Sequence, residues 1–163
     1  MNNVSNSSTS NQSALHLLHR AGQCADELFT LNVSGTELTP RQYEVLKAVA
    51  DQPDPSQTTL VQCTGIDRST LADIVRRLSE RDLLVRRRTP EDARKYAVRL
   101  TQKGVQILAQ AEPAVQATNS SLLDAIPASE RANFLESLST IILAIGSAQA
   151  AGNTNSPRDN EAA

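Results

Sequence analysis

The 163-residue chain is predicted to be mainly α-helical with a minor β component, a helix-turn-helix followed directly by one β-hairpin. Three features carry that prediction. Between residues 13 and 146, apolar side chains recur mostly at three- and four-residue spacing, the pattern of a buried helical stripe. Two short capped segments flank Thr64-Gly65-Ile66, a turn of the length that joins the helices of a helix-turn-helix. The apolar period then switches from 3.6 to 2 across residues 84–100.

The elements follow in order. Leu15, Leu18, Ala21/Gly22, Ala25 and Leu28/Phe29 form the stripe of a first helix over about residues 13–32, closed off by Gly35. Thr39-Pro40 opens a second helix, a capping hydroxyl before a proline at the first helical position. Its inner face is Tyr43, Leu46 and Val49/Ala50, and Pro53 and Pro55 end it. Ser56 caps a third helix, Gln57 to Cys63, and Asp67 caps a fourth with Leu71, Ile74/Val75 and Leu78 inward. Leu84 to Arg88 and Lys95 to Leu100 read as paired strands, the second with Tyr96, Val98 and Leu100 on one face. Thr89 to Arg94 makes the charged turn between them, so the hairpin is a wing on the helix-turn-helix. Thr101 caps a fifth helix that Pro113 should kink or restart. After Pro127 a last helix carries Phe134/Leu135, Leu138, Ile141/Ile142 and Ile145, more apolar surface than a monomer needs. Residues 1–12 and 147–163 are polar and read as disordered tails.

Composition narrows the function. With 39% hydrophobic residues the chain builds one core, and with only Phe29, Tyr43, Tyr96 and Phe134 as aromatics that core is aliphatic. No apolar run approaches the ~20 residues of a membrane span, which excludes a membrane partner of that kind. Met1 to Gln12 lacks the basic flank and apolar stretch of a secretory signal, and Cys24 and Cys63 are too few for a disulfide framework. A cytoplasmic protein is expected. The formal net charge of -2 argues against a nucleic-acid binder until it is resolved along the chain. Arg68 to Lys103 holds 11 Lys/Arg against 5 Asp/Glu, leaving 5 basic and 13 acidic residues elsewhere. A basic face on an acidic body is the footprint of DNA binding, although a solvated basic surface has the same count.

The chemistry of base and phosphate recognition then picks out residues. A helix in the major groove reads bases with its N-terminal and outward side chains, which here are Arg68, Ser69, Asp73, Arg76 and Arg77. Arg68 suits a bidentate contact to guanine, Ser69 and Thr70 reach bases or phosphate, and Arg76 and Arg77 suit phosphates. Thr70 is alternatively half-buried. Arg94 at the hairpin tip fits a narrow, negative minor groove, braced by Asp92. Arg86, Arg87, Arg88 and Lys95 would lie along the phosphates.

The run DRSTLADIVRRLSERDLLVRRRTPEDARKYAVRLTQKG resembles the core signature of the MarR family: recognition helix, strand, wing with Asp92 and Arg94, strand, then Leu100, Thr101 and Gly104. LTPRQYEVLKAVA resembles the family's second helix and IPASERANFLESLSTIILAI its C-terminal dimerisation helix, so the likeness spans about residues 14–146. The resemblance implies a winged helix-turn-helix over about residues 38–100, with dimerisation helices at about 13–32 and 101–146. It implies a homodimeric repressor that binds palindromic double-stranded DNA, with half-sites about one turn or ~10 bp apart. It also implies a small-molecule effector held between the dimer helices and the DNA-reading lobe. One residue departs from the pattern: Asp82 stands where the family has Gly, at a turn expected to be left-handed and locally strained.

His16, His19 and Arg20 on the first helix and Tyr43 on the second lie where the family places its ligand. Arg20 would pair with a carboxylate, and His19 or Tyr43 would bond a ring hydroxyl. LLHRAGQCADELF is similar to members that answer to aromatic carboxylates of the nicotinate or benzoate type. Surface or interface roles for the two histidines stay open. Cys24 raises a redox-sensing alternative, set against a buried structural thiol, and Cys63 reads as core. His16 and His19 at i,i+3 raise zinc sensing, but no partner cluster completes a metal site, and no cofactor is expected. A small helical enzyme is the rival class, yet no GxGxxG, P-loop or Cys-His pair is present. Use of the helix-turn-helix as a protein-binding module conflicts with its many arginines.

Overall fold

The computed structural model describes residues 13–33, 35–88 and 96–153, with side chains through residue 146. The described elements are α1 (Ala14–Asn32), α2 (Pro40–Asp51), α3 (Gln57–Thr64), α4 (Arg68–Glu80), β1 (Leu84–Arg88), β2 (Tyr96–Leu100), α5 (Gln102–Asp124) and α6 (Arg131–Asn153). They fall into two units divided at Ser120/Ser121. Residues 1–12 and 154–163, expected as tails, lie outside the described residues, and α6 continues to Asn153.

Polar caps set the helix starts. Ser13, Ser56 and Asp67 accept from the amides of His16, Thr59 and Thr70, at 3.2, 3.1 and 2.9 Å. Thr39 and Gln42 form a reciprocal capping box, with Pro40 inside the first turn. Thr101 Oγ1 accepts from the Gly104 amide at 3.0 Å as α5 begins. Each such cap stabilises its helix by about 1 kcal/mol. Gly65, in the left-handed region at φ 67°, ends α3 and turns the chain into α4. Asp82 is left-handed too, at φ 58°, as its replacement of Gly led us to expect. Its carbonyl accepts from the Thr101 hydroxyl at 2.6 Å, tying the turn to the start of α5.

The core of the first unit is aliphatic. Val45, Leu46, Leu60, Leu71, Val75, Leu78, Leu83 and Val98 are its largest fully buried side chains, drawn from α2, α3, α4, the turn after α4 and β2. Burial stabilises each by about 1.5–3 kcal/mol before ordering costs. On α2 the buried set is Tyr43, Val45, Leu46 and Val49, while Ala50 is exposed. The hairpin is antiparallel with Leu84 opposite Leu100 and Arg88 opposite Tyr96. The expected alternation on β2 holds only partly. Ala97 and Val98 are both buried, so both faces of the strand are covered there, whereas Tyr96 is half exposed and packs its ring under the Arg88 guanidinium. The Val98 amide donates to the Pro55 carbonyl at 2.9 Å, and Asp54 accepts from the Arg99 guanidinium. The wing strand is thereby tied to the segment between α2 and α3.

Pro113 lies within α5, which runs unbroken from Gln102 to Asp124 and does not restart there. In the second unit, Arg131 donates to the Ile126 carbonyl at 3.0 Å and pairs with Asp124 at 3.0 Å. α6 leaves Phe134, Leu135, Ile141, Ile142, Leu143 and Ile145 exposed in the single chain.

Gly104 marks a backbone crossing. A Cβ there would lie 2.1 Å from the Leu83 carbonyl oxygen, a main-chain atom that cannot swing aside. Gly104→Ala is therefore expected to lower unfolding free energy by about 1–3 kcal/mol through overpacking. Urea denaturation checks this, and an unchanged midpoint would contradict the close approach.

Candidate nucleic-acid interface

The recognition surface is built by exclusion. α4 buries Leu71, Ile74, Val75 and Leu78, so helical geometry turns Arg68, Ser69, Asp73, Arg76 and Arg77 outward. Thr70 is half-buried. At the start of the helix, Asp67 takes the Ser69 hydroxyl at 2.6 Å as well as the Thr70 amide. Hydrogen bonds from Ser69 first and Thr70 next hold its carboxyl well below the usual carboxylate range. The Ser69 hydroxyl proton is thus committed to the cap, which leaves its oxygen as an acceptor.

The arginines divide into two kinds. Arg68, Arg86 and Arg87 are exposed and make no hydrogen bond or ion pair among the described residues. Arg76 and Arg77 are engaged. Asp73 accepts from Arg76 Nη2 and Arg77 Nε, each at 2.6 Å, and Glu80 accepts from Arg76 Nη1. Arg88 donates to the Tyr96 hydroxyl at 3.3 Å and stands over its ring. Asp92, Arg94 and Lys95, the expected wing contacts, lie outside the described residues.

The expected ligand residues are not brought together within one chain. His16, His19 and Arg20 are exposed on the first half of α1, with Arg20 donating to Gln23 at 2.9 Å. Tyr43 is buried beside Phe29, ring centroids 6.0 Å apart. Phe29 follows His19 by ten residues, about 15 Å along the helix axis. The Tyr43 hydroxyl donates to Glu112 of α5 at 2.7 Å. Burial first, and then that carboxylate, raise the phenol above its ordinary value.

Both cysteines differ from expectation. Cys24 and Cys63 are exposed, not core. Burial on α1 is reached only further along, at Phe29. On α3 the inward stripe runs from Leu60 to half-buried Thr64, whose hydroxyl bonds the Leu60 carbonyl, and Cys63 falls one residue off it. Among the described residues no cluster of three His, Cys, Asp or Glu is placed to hold a metal. No described helix is long and apolar enough to cross a membrane.

Three positioning residues escaped the sequence reading. Glu112 holds Tyr43, Asp54 holds Arg99, and Arg81 donates to the carbonyls of Glu37 and Thr36 at 3.0 and 2.9 Å. Their partners lie 69, 45 and about 45 residues away, beyond the reach of any local pattern.

Two short helices joined through Gly65, the second carrying an arginine face and followed by a hairpin, make a winged helix-turn-helix of the kind that binds DNA. A model of the MarR family matches residues 36–95. The chain is 32% identical to the HTH-type transcriptional repressor NicR of Pseudomonas putida over 127 residues, 78% of this chain and 80% of that one. It is 37% identical over 99 residues to a putative transcriptional regulatory protein for the hcr operon of Thauera aromatica, and spans only 60% of that protein's length. Among solved structures, the repressor CouR bound to a 23-mer DNA duplex matches with TM-score 0.73 and 32% identity, over 79% of this chain and 92% of CouR. BpsR of Bordetella bronchiseptica, in a structure concerned with regulation of its DNA binding by 6-hydroxynicotinic acid, matches with TM-score 0.71 and 31% identity, over 77% and 96%. The chain belongs to the MarR family and is a transcriptional regulator, not an enzyme.

The Tyr43–Glu112 bond yields a direct test. Tyr43→Phe keeps the buried ring and removes the donor, so stability at pH 7 should fall by about 1 kcal/mol. A variant as stable as the parent in chemical denaturation would show that the bond contributes nothing net.

Proposed function

We propose that the chain is a repressor that binds a palindromic operator as a homodimer and is released by an aromatic carboxylate of the nicotinate or benzoate type. The observation that carries the DNA half is the outward arginine face of α4, fixed by the buried face behind it. Arg68 stands at the N-terminal end, free to reach a base edge, and Ser69 and Thr70 lie beside it. Arg76, Arg77, Arg86, Arg87 and Arg88 would contact phosphates, with Arg94, Asp92 and Lys95 at the wing and Asp73 set among the arginines of α4. The apolar side chains that α1 and α6 leave in water, Leu15, Leu17, Ile142 and Leu143 among them, are what a second copy would cover. A cytoplasmic location follows from a role on chromosomal DNA.

The ligand half rests on likeness to BpsR and on residue chemistry. Arg20 would pair with the effector's carboxylate, and His16, His19 or Tyr43 would bond its ring substituents. Since the histidines stand apart from Tyr43 along one chain, either a second copy completes the site or Tyr43 acts from below it. An effector that favours the conformation poorly spaced for two successive grooves would release DNA by population shift. The exposed thiol of Cys24 favours a second reading, in which oxidant replaces acid as the signal.

Fluorescence anisotropy tests the proposal with labelled DNA from upstream of the chain's own gene, in a salt series, with 6-hydroxynicotinate, benzoates and peroxide added in turn. Tight, salt-sensitive binding reversed by an aromatic acid is the expected result. Reversal by peroxide alone would replace the ligand half. Absence of binding even at low salt would overturn the whole reading.

A further inference from the structure

The middle of the recognition helix is neutralised from within. Asp73 reaches Arg76 at i,i+3 and Arg77 at i,i+4, and Arg76 reaches on to Glu80 at i,i+4, so two guanidiniums are matched by two carboxylates on one outward face. The contrast with Arg68, Arg86 and Arg87, which have no such partners among the described residues, is local to these two turns. Hydrogen bonds from Arg76 first, then Arg77, hold Asp73 below the ordinary carboxylate range, so it stays ionised at neutral pH. A groove between α4 and β1 is lined by Ala72, Asp73, Arg76, Ser79, Glu80 and Arg86, so exposed Arg86 borders the same groove as these carboxylates.

We propose that Asp73, seconded by Glu80, is a specificity-determining residue of the DNA interface, a built-in counter-ion that Arg76 and Arg77 leave only for phosphates in the correct register. This rests on the reading of α4 as the DNA-contacting helix. Bare arginines gain counterion release from any duplex, whatever its sequence. A carboxylate between them removes most of that gain and repels phosphates that arrive out of place. When base contacts at the N-terminal end of α4 set the register, phosphates meet the guanidiniums in the geometry Asp73 had satisfied, and the internal pairs are exchanged rather than lost. Exposed ion pairs of this kind are individually weak, so the exchange is cheap on a matching site. The effect is to weaken non-specific binding more than operator binding. The competing role for Asp73 is direct readout, accepting from a cytosine amino group, and it predicts the opposite response.

Asp73→Asn in the full chain separates these. Two probes are needed: a random-sequence duplex of ~20 bp, and a duplex of equal length selected from a randomised pool with the parent protein. Anisotropy is read between about 50 and 200 mM salt. The Asn variant should bind the random duplex about three- to tenfold more tightly, the scale of one or two exposed ion pairs. Its salt dependence should steepen by about one unit of slope per protomer. The selected duplex should gain less, so the preference ratio falls. Adding Arg77→Gln should return random-duplex affinity towards the parent value. Unchanged binding to both duplexes would overturn the proposal, as would a loss confined to the selected duplex, which would make Asp73 a base reader. A parent that enriches no duplex from the pool and does not bind the random duplex at low salt would overturn the DNA-binding reading itself.

Discussion

Burial of one face of α4 is the constraint on which the rest depends. Leu71, Ile74, Val75 and Leu78 fill the core against α2, α3 and the hairpin, and with 3.6 residues per turn no rotation of the helix keeps them dry and hides Arg68, Arg76 or Arg77. The apolar set and the basic set are two readings of one periodicity. The cap at Asp67 and the left-handed Gly65 fix where the helix begins, and the left-handed Asp82 fixes how the chain leaves it for the wing. A surface rich in arginine is thereby oriented by the buried side chains behind it.

Around that helix, longer-range ties convert a motif into a lobe. Arg81, at the C-terminal cap of α4, grips the carbonyls of Thr36 and Glu37 ahead of α2, while Lys103 at the start of α5 donates to the Arg81 carbonyl. Asp54 and Pro55 hold β2, and Gly104 lets α5 cross the Leu83 backbone without a side chain between them. Tyr43 and Glu112 then join α2 to α5, and Asn32 reaches Thr118 at 3.0 Å to join α1 to α5. Polar contacts thus link α1 and α2 to α5, and the start of α5 to the C-terminal cap of α4.

Much of this was legible in the residues. The starts of α1 to α4 followed from Ser13, Thr39, Ser56 and Asp67, because capping chemistry is local. The outward face of α4 followed from its apolar period, and the left-handed Asp82 from the turn it had to make. The thiols were not legible: one step around a helix separates Cys63 from the stripe of Leu60 and Thr64, finer than spacing resolves. Nor was the double burial at Ala97 and Val98, where the strand meets Pro55, a residue distant in sequence. The pairing of Asp73 with both arginines needed side-chain directions, since spacing alone also allowed it to face a base. Of the two outcomes expected at Pro113, a restart does not occur, since α5 continues through it.

In the proposed function, the first turn of α4 reads bases and the turns behind it hold the backbone. Binding-site selection from a randomised duplex pool, run in parallel with the parent and with Arg68→Ala, tests it most directly. The parent should select a two-fold symmetric motif, and Arg68→Ala should lose preference at one base position per half-site, a discrimination of about 1–3 kcal/mol, while keeping the spacing. Selection of the same motif with the same stringency by both proteins would contradict it.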